Sequence, residues 1–235
     1  MSLRPIYYDT ETTGLDSKND RIIEIAAFDP VSNKSFSELV NPMMMISEES
    51  MAICKITNEM VKDADIFENV GKRFIEFCSG DVVLVAHNND SFDKLFLEEE
   101  FKRINIQFPK WQFIDSLKWA RKYRPDLPKH ALQYLRQIYK IQENQAHRAL
   151  NDVIVLKQVF EKLVDDLPIE KVLELLIAKR IRNLEYMPFG KHQGKKLDEV
   201  PKSYIAWLNK SLVFEKPENK SLKESFEKLG LLTEG

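Results

Sequence analysis

The 235-residue sequence predicts an α/β fold, and two features of its pattern indicate this class. Three short segments of strand character lie within the first 40 residues, and residues 82–86 later form a continuous apolar run, typical of a central strand covered on both faces. Between and after these segments, apolar residues recur at helical spacing. With 43% hydrophobic residues, the chain can form one domain of ordinary size and a small second one.

The first predicted strand covers residues 6–8 and runs into a turn at residues 12–14. Asp9 and Glu11 follow at a spacing of two, so their side chains project from one face about 7 Å apart. Two carboxylates held together repel each other, and this arrangement is best explained by a divalent cation between them. The alternative is a solvated polar strand end, which Asp-x-Glu alone does not exclude.

Two more strands are expected at residues 21–28 and 36–40, separated by a turn at residues 29–33. The three strands then form an antiparallel meander. The three methionines Met43–Met45 are interpreted as flexible packing at a loop. From residue 48 to 78 the pattern becomes helical, with helices near residues 58–61 and 67–78.

The apolar run at residues 82–86 is followed by a polar segment, residues 87–93, and then by a helix that leads to Phe101. The carboxyl ends of central strands are where α/β sheets place their chemistry. Asp93 would lie in the first helical turn, facing this end of the sheet. The simpler interpretation is a helix-start residue favoured by the helix dipole.

The most basic stretch of the chain, residues 118–140, begins in a predicted helix at residues 117–124, which follows a strand end at residues 113–116 and stops at Pro125. Aromatic residues alternate with the cations, as in a track for single-stranded nucleic acid, where phosphates need neutralisation and bases need stacking surfaces. A solvated helix face explains the charges equally well. The cations are Lys118, Arg121, Lys122, Arg124, Lys129, Arg136 and Lys140, and the aromatic residues are Trp119, Tyr123, Tyr134 and Tyr139.

A long helix is predicted to begin near residue 145 and to continue to about Val164. Residues five apart on a helix are separated by about 140° around its axis, so His147 and Asp152 cannot share a face if both are helical. We therefore expect His147 on the preceding loop, reaching a site that Asp152 faces from the helix. A lone histidine is more often structural, but one beside several carboxylates is a candidate general base.

Composition narrows the class of protein further. The net charge is −2, so contact with nucleic acid has to come from local basic patches and bound metal. Cys54 and Cys78 lie in apolar surroundings without metal-ligand spacing, which predicts buried free thiols of a cytoplasmic protein. No export signal and no run of ~20 apolar residues is present, so no association with a membrane is expected.

The order and spacing of Asp9-x-Glu11, Asp93 after Ala-His-Asn, and His147-x4-Asp152 resemble the three exonuclease motifs of the DEDD superfamily, in its histidine-containing (DEDDh) branch. The similarity covers residues 4–165. The sister branch has a tyrosine four residues before the last aspartate, where this chain has Arg148. One extra residue before Phe92 gives a spacing more like that of the Trex-type enzymes, which leaves the substrate open.

The resemblance implies a ribonuclease H-like fold, with a mixed five-stranded sheet, three strands of it antiparallel, flanked by helices. It also implies removal of nucleoside 5′-monophosphates from the 3′ ends of DNA or RNA with two Mg²⁺ or Mn²⁺ ions. The implied roles are metal ligands and a general base. The ligands are Asp9, Glu11, Asp93 and Asp152, the base is His147, and the residues expected to bind or support the terminal nucleotide are Thr12, Thr13, His87 and Asn88, with Arg121 and Lys122 on the basic stretch.

DNA is the favoured substrate, in repair, proofreading or degradation. An exoribonuclease of the same fold, an endonuclease, and a non-catalytic nucleic-acid-binding protein are the alternatives, although a binding module has no need for four carboxylates beside a polyanion. The resemblance also suggests partners: a second copy of the chain, as in some relatives, and a polymerase or repair protein.

The remaining sequence predicts a small additional module. We assign residues 1–165 to the exonuclease domain, 166–183 to a connecting helix and 184–235 to a C-terminal module. The module resembles that of exodeoxyribonuclease X-like proteins in its Pro-Phe-Gly-Lys, Gly-Lys and Pro-x-x-Tyr-x-x-Trp positions. Gly190 and Gly194 could let backbone amides and lysines approach a phosphate. The alternative is a tight hairpin with Tyr204 and Trp207 as core.

Overall fold

The computed structural model describes residues 3–142, 149–177, 184–216 and 219–232. The chain divides into two compact units, Met1–Ile177 and Ala178–Gly235. The helix predicted as a connector lies in the first unit up to residue 177, because Val172 and Leu173 are buried in the core of that unit. No helix within the described ranges is long and apolar enough to cross a membrane.

The first unit is built on one mixed sheet of five strands in the order β3-β2-β1-β4-β5. The strands β1, β2 and β3 pair antiparallel, whereas β4 and β5 run parallel to β1. This topology confirms the predicted mixed sheet, with β1 at its centre. The strands are β1 (Arg4–Thr12), β2 (Ile22–Asp29), β3 (Lys34–Leu39), β4 (Val82–Ala86) and β5 (Gln112–Asp115).

Helices cover both faces of this sheet. In chain order the helices of the first unit are α1 (Glu48–Cys54), α2 (Asn58–Val61), α3 (Phe67–Phe77), α4 (Asp93–Arg103), α5 (Ser116–Tyr123), α6 (Leu132–Ile138), α7 (Ala149–Val164) and α8 (Ile169–Ile177). The helix α1 was not separately predicted. Ser47 caps its start, because the Ser47 side chain accepts a hydrogen bond from the Ser50 amide.

Alternation along β1 sends its side chains into two different cores. Ile6 and Tyr8 pack with α3 and α4 on one face. Tyr7 packs on the other face with α7, where its ring meets Phe160 edge to face at a centroid distance of 6.1 Å. Asp9 and Glu11 continue the sequence parity of Tyr7, so they emerge on the face that carries α7.

Two sequence interpretations were wrong about burial. Met43, Met44 and Met45 are 71%, 44% and 76% exposed, because their loop lies outside the hydrophobic clusters. Trp119 is 1% exposed and donates from its indole nitrogen to the Leu163 carbonyl. It therefore belongs to the core beneath α7, not to an aromatic track for nucleic acid.

The second unit contains α9 (Lys202–Lys210) and α10 (Lys220–Lys228) and, ahead of them, a hairpin whose bridge joins Tyr186 and Lys196. The chain folds back here as predicted, but through one isolated bridge with nine residues between Tyr186 and Lys196, and not as a tight hairpin. The prediction of Trp207 as a core residue is wrong, because Trp207 is 54% exposed, whereas Tyr204 is half-buried against the core. The core of this unit consists of Met187, Leu197, Val200, Ile205, Leu208, Phe214, Leu222 and Phe226.

Candidate active site

Three acidic residues from two elements meet at the carboxyl end of β1. Asp9 and Glu11 come from β1 and Asp152 from the first turn of α7, and one carboxylate oxygen of each lies within 4.8 Å of the others. The packing of α7 on this face of the sheet brings Asp152 over the strand. Residues separated by more than 140 positions thus form one acidic cluster, as the sequence motifs predicted.

Asp93 reaches the same strand end from its opposite face. It is the first residue of α4 and 2% exposed, and its Oδ1 accepts hydrogen bonds from the Thr10 amide at 3.0 Å and the Thr10 hydroxyl at 2.8 Å. Thr10 lies between Asp9 and Glu11 in sequence and points away from them. Asp9 and Glu11 therefore present two carboxylates on one face of β1, and Thr10 between them binds the carboxylate of Asp93 on the other face.

The electrostatics of the cluster disfavour several negative charges at once. Burial, followed by the charges of Asp93, Glu11 and Asp152, raises the pKa of Asp9 well above its usual value. Burial raises the pKa of Asp93 to about 7, although its hydrogen bonds with Thr10 oppose this increase. The donors are all carboxylate oxygens, the ligand type that hard divalent cations such as Mg²⁺ and Mn²⁺ prefer.

These shifts predict how pH affects the stability of the metal-free chain. Because Asp9 and Asp93 hold protons in the folded chain at pH values where the unfolded chain has lost them, unfolding free energy falls as pH rises from about 4 to 7. We expect the Tm of the metal-free protein to fall by several degrees over this range and Mn²⁺ to restore it more at pH 8 than at pH 5.

Thermal unfolding with and without EDTA tests this expectation, with Asp93→Asn as the comparison. Asparagine keeps an oxygen that can accept from Thr10 but does not titrate, so its Tm should fall less with pH. Identical Tm profiles for the variant and the wild type would contradict the assignment.

Two polar residues that the sequence analysis missed support the cluster. Gln133, on α6, donates from Nε2 to Asp152 Oδ1 at 2.8 Å. Glu24, opposite Glu11 in the β1–β2 register, is 2% exposed, and its Oε2 accepts from the Ala149 amide at the start of α7 at 3.2 Å. A glutamate within the apolar run of residues 22–28 was the available signal for Glu24, whereas no local pattern marks Gln133.

The loop between β4 and α4 is held by Asp115 at the end of β5. Its carboxylate accepts from the amides of Asn88 and Asp90 at 3.1 and 3.2 Å and also caps α5 through the amides of Leu117 and Lys118. Asn88 has a φ of +69°, a conformation that asparagine tolerates better than most residues. Asp115 thereby fixes the path of the chain that leads to Asp93.

His87 is tied into the protein through both ring nitrogens. Its Nε2 lies 2.9 Å from the His130 carbonyl, which can only accept, so Nδ1 accepts from the Ser116 hydroxyl at 2.8 Å. Burial lowers the pKa of His87 to about 4, and the ring is therefore neutral. Contacts of this kind are consistent with the predicted role of His87 and Asn88 as supports for the nucleotide site. That role stays a prediction.

Thr12 and Thr13, predicted to hold the terminal nucleotide, use their hydroxyls within the turn. Thr12 donates to the Gly14 carbonyl at 2.6 Å, and Thr13 donates to Asp20 at 3.0 Å while accepting from the Arg21 amide. Both side chains are buried. Their contact with a nucleotide stays a prediction.

Arg121 and Lys122 are adjacent in sequence but differ in surroundings. Arg121 is exposed and lines a cleft with Lys129, His130 and His87. Lys122 instead donates from Nζ to the Leu175 carbonyl on α8. The proposed contact with substrate is therefore better supported for Arg121 than for Lys122. His147 and Arg148 lie outside the described residues.

Two family models match the chain. The model described as "Exonuclease" matches residues 6–160, a range that includes all of the acidic cluster. A second model, described as a putative quorum-sensing-regulated virulence factor, matches residues 176–219 in the C-terminal part.

Among curated proteins, the chain is 38% identical over 182 residues to the chloroplastic and mitochondrial exonuclease DPD1 of Arabidopsis thaliana, covering 70% of this chain and 57% of that protein. It is 34% identical over 166 residues to a PolC-type DNA polymerase III of Caldanaerobacter subterraneus, covering 69% of this chain and 12% of the polymerase. The chain thus spans little more than half of the first relative and a small part of the second.

Solved structures share the fold. An exonuclease X structure in complex with 5′-overhanging duplex DNA matches with a TM-score of 0.55 at 27% identity and covers 73% of this chain and 99% of that one. An exonuclease I structure matches with a TM-score of 0.62 at 20% identity and covers 74% of this chain and 43% of that one.

Proposed function

Because this chain belongs to the exonuclease family, whose model matches residues 6–160, we propose that it is a metal-dependent 3′→5′ exonuclease that releases nucleoside 5′-monophosphates from the 3′ ends of DNA. The observation that carries the proposal is the cluster of Asp9, Glu11 and Asp152, whose carboxylate oxygens lie within 4.8 Å of one another. Several half-buried carboxylates held together beside a polyanionic substrate are unfavourable unless cations neutralise them.

The ligand set proposed for two Mg²⁺ or Mn²⁺ ions is Asp9, Glu11, Asp93 and Asp152. Bound ions of this kind lower the pKa of water and stabilise the charge of the leaving 3′-oxygen. Thr10 holds the Asp93 carboxylate, and Gln133 holds that of Asp152, so these two residues position ligands. Positioning and charge neutralisation account for most of the catalysis in phosphoryl transfer.

We assign the chain to the histidine-containing branch, with His147 as the base that accepts the proton of the attacking water. The assignment is supported by the spacing of His147 and Asp152 and by Arg148 at the position where the sister branch has tyrosine.

DNA is the proposed substrate because the exonuclease X relative is bound to a 5′-overhanging DNA duplex and the PolC-type relative is a DNA polymerase. Repair, proofreading and degradation are the processes in which such an activity is used. The C-terminal unit is proposed to be of the exodeoxyribonuclease X-like kind, on its Pro188-Phe189-Gly190-Lys191 and Tyr204-x-x-Trp207 positions.

The decisive experiment incubates a 5′-labelled oligonucleotide with the protein and Mg²⁺ or Mn²⁺. We expect a ladder of products that shorten from the 3′ end and release of nucleoside 5′-monophosphates, with EDTA stopping the reaction. DNA, RNA and duplex substrates of equal length, compared in parallel, test the preference for DNA.

Two rival functions give different results in the same assay. A non-catalytic binding protein retains the oligonucleotide without shortening it. An endonuclease cuts a circular single strand, which has no 3′ end and should remain intact in the presence of the proposed exonuclease.

The cleft beside Arg121 supplies a prediction about substrate binding. Replacing Arg121 and Lys129 by glutamine removes two exposed side chains that make no ion pair with any residue in the described ranges. Binding of all sequences should weaken about equally, and the slope of log K against log salt should shrink by about 1.4 for a single strand, because phosphate contacts carry no base information.

The matched control is Lys122→Gln, which removes a neighbouring charge that is already bonded to the Leu175 carbonyl. Its salt slope should stay near that of the wild type. Fluorescence anisotropy in EDTA at several salt concentrations measures both. A loss restricted to certain sequences, or an equal loss in the control, would count against the cleft.

A further inference from the structure

The C-terminal unit presents an exposed tryptophan, Trp207, beside Tyr204, which is half-buried and packs against the core of this unit. Tyr204 and Trp207 lie one turn apart on α9, and their rings are stacked at a centroid distance of 5.4 Å and an interplanar angle of 24°. Trp207 is 54% exposed, whereas the alternating positions Ile205 and Leu208 are buried beneath the helix. The outer face of α9 is therefore an aromatic platform.

The hairpin ahead of α9 fixes this platform from one side. Gly190 has a φ of +76°, and a Cβ atom there would lie 2.5 Å from the Tyr204 hydroxyl oxygen, so the backbone passes directly against this ring. The His192 ring contacts Tyr204 edge to face at 4.6 Å. Tyr204 is thus held between the hairpin and Trp207, which keeps the exposed indole in a defined orientation.

The segment that carries the platform is rich in lysine. Residues 187–212 contain five lysines and two acidic residues, a formal excess of three positive charges. All five lysines are exposed, and none of them forms an ion pair with another residue that the structure describes. Lys191 adjoins Gly190 in the hairpin, and Lys210 follows Trp207 by one helical turn; the other three are Lys195, Lys196 and Lys202.

We propose that Tyr204, Trp207, Lys191 and Lys210, termed here the aromatic–lysine surface, bind single-stranded nucleic acid as a second site, separate from the acidic cluster. An exposed planar ring offers a stacking surface that accepts any base, and lysines beside it neutralise the phosphates between stacked bases. The inference rests on the proposed function only in taking nucleic acid as the ligand. The aromatic–lysine surface holds the strand and does not cleave it.

Charge distinguishes this occupant from a second copy of the chain. A face that carries several lysines without described acidic partners repels an identical face, whereas it attracts a polyanion.

The test measures binding of the full chain to a 20-nucleotide oligo-dT in EDTA, where no cleavage occurs. Trp207 is the most exposed of the three tryptophans, so stacking of a base should quench the intrinsic fluorescence. Trp207→Ala should abolish this quenching and weaken binding about 5- to 100-fold, while Trp207→Phe should retain part of the affinity. An abasic strand with the same number of phosphates should bind weakly to the wild type and to both variants.

Lys191→Gln together with Lys210→Gln should reduce the salt slope by about 1.4. Leu212→Ala and Lys220→Gln, exposed positions of the same unit outside the surface, are the controls and should bind like the wild type. Turnover of a trinucleotide should be unchanged by Trp207→Ala, which separates a failure of this surface from a failure of catalysis.

Three results would overturn the proposal. The first is wild-type affinity in Trp207→Ala, and the second is equal binding of the abasic strand, which would leave only a phosphate contact. The third is a concentration-dependent dimer in sedimentation velocity that Trp207→Ala dissociates without any change in oligonucleotide binding, which would make a second copy the occupant.

Discussion

Replacing Asp9 by asparagine is expected to reduce exonuclease turnover by about 10³-fold or more. Asp9 lies within 4.8 Å of two other carboxylates, and burial together with the charges of its acidic neighbours raises its pKa. Together with Glu11, Asp93 and Asp152, Asp9 would hold the cations, and the charge stabilisation that such ions supply contributes several kcal/mol to phosphoryl transfer. Metal binding and turnover should therefore fall together, and excess Mg²⁺ should restore little.

The same substitution should leave the fold intact. The substitution reduces the repulsion among the carboxylates of the metal-free chain. The Tm of Asp9→Asn in EDTA should therefore equal or exceed that of the wild type at pH 8. Calorimetric titration with Mn²⁺, thermal unfolding and a single-turnover assay measure the three quantities. Asp81→Asn, an exposed carboxylate at the start of β4, is the control and should behave like the wild type.

Loss of turnover in Asp9→Asn with unchanged Mn²⁺ affinity would contradict a ligand role for this residue. Loss of turnover accompanied by a lower Tm in EDTA would instead indicate that Asp9 stabilises the fold, and the cluster would need another explanation.

Replacing His147 by alanine is expected to reduce turnover about 10²- to 10⁴-fold while leaving the binding of metal and oligonucleotide near wild type. A base removes the proton of the attacking water but does not hold the cations, so its loss affects only the chemical step. This separates it from Asp9, whose loss affects both. His192→Ala, assayed on a trinucleotide, is the control histidine and should retain full turnover.

The pH dependence gives a second measurement of the same role. A histidine accepts a proton only when it is neutral, so wild-type turnover should rise with pH as His147 loses its proton. This rise should flatten in His147→Ala. Because the attacking water can titrate in the same range, the comparison with the variant is what assigns the rise to the histidine.

The assignment fails if His147→Ala loses Mn²⁺ affinity as completely as Asp9→Asn does. It also fails if the variant keeps the pH profile of the wild type.

The elements of the fold could be predicted largely from the sequence, because each leaves a local signature. The apolar run at residues 82–86 is the buried strand β4, and the residues at 6–8 lie in the central strand β1, with Asp9 and Glu11 on one face. Most predictions that were wrong concern exposure. Met43–Met45 and Trp207 are exposed, whereas Trp119 is buried, because the burial of a large apolar side chain depends on which distant elements cover it.

Within the site, the sequence by itself determined the identity and order of the acidic residues, since a strand of alternating side chains fixes the geometry of Asp9 and Glu11 locally. Only the tertiary structure decided which groups support them. Thr10 donates to Asp93, 83 positions away, and Gln133 donates to Asp152 from another helix. Glu24 accepts a hydrogen bond from the Ala149 amide at the start of α7, 125 positions away. Hydrogen bonds of this kind depend on how the helices pack on the two faces of the sheet. Packing between distant elements produces no periodic pattern in the sequence, so these contacts could not be predicted from it.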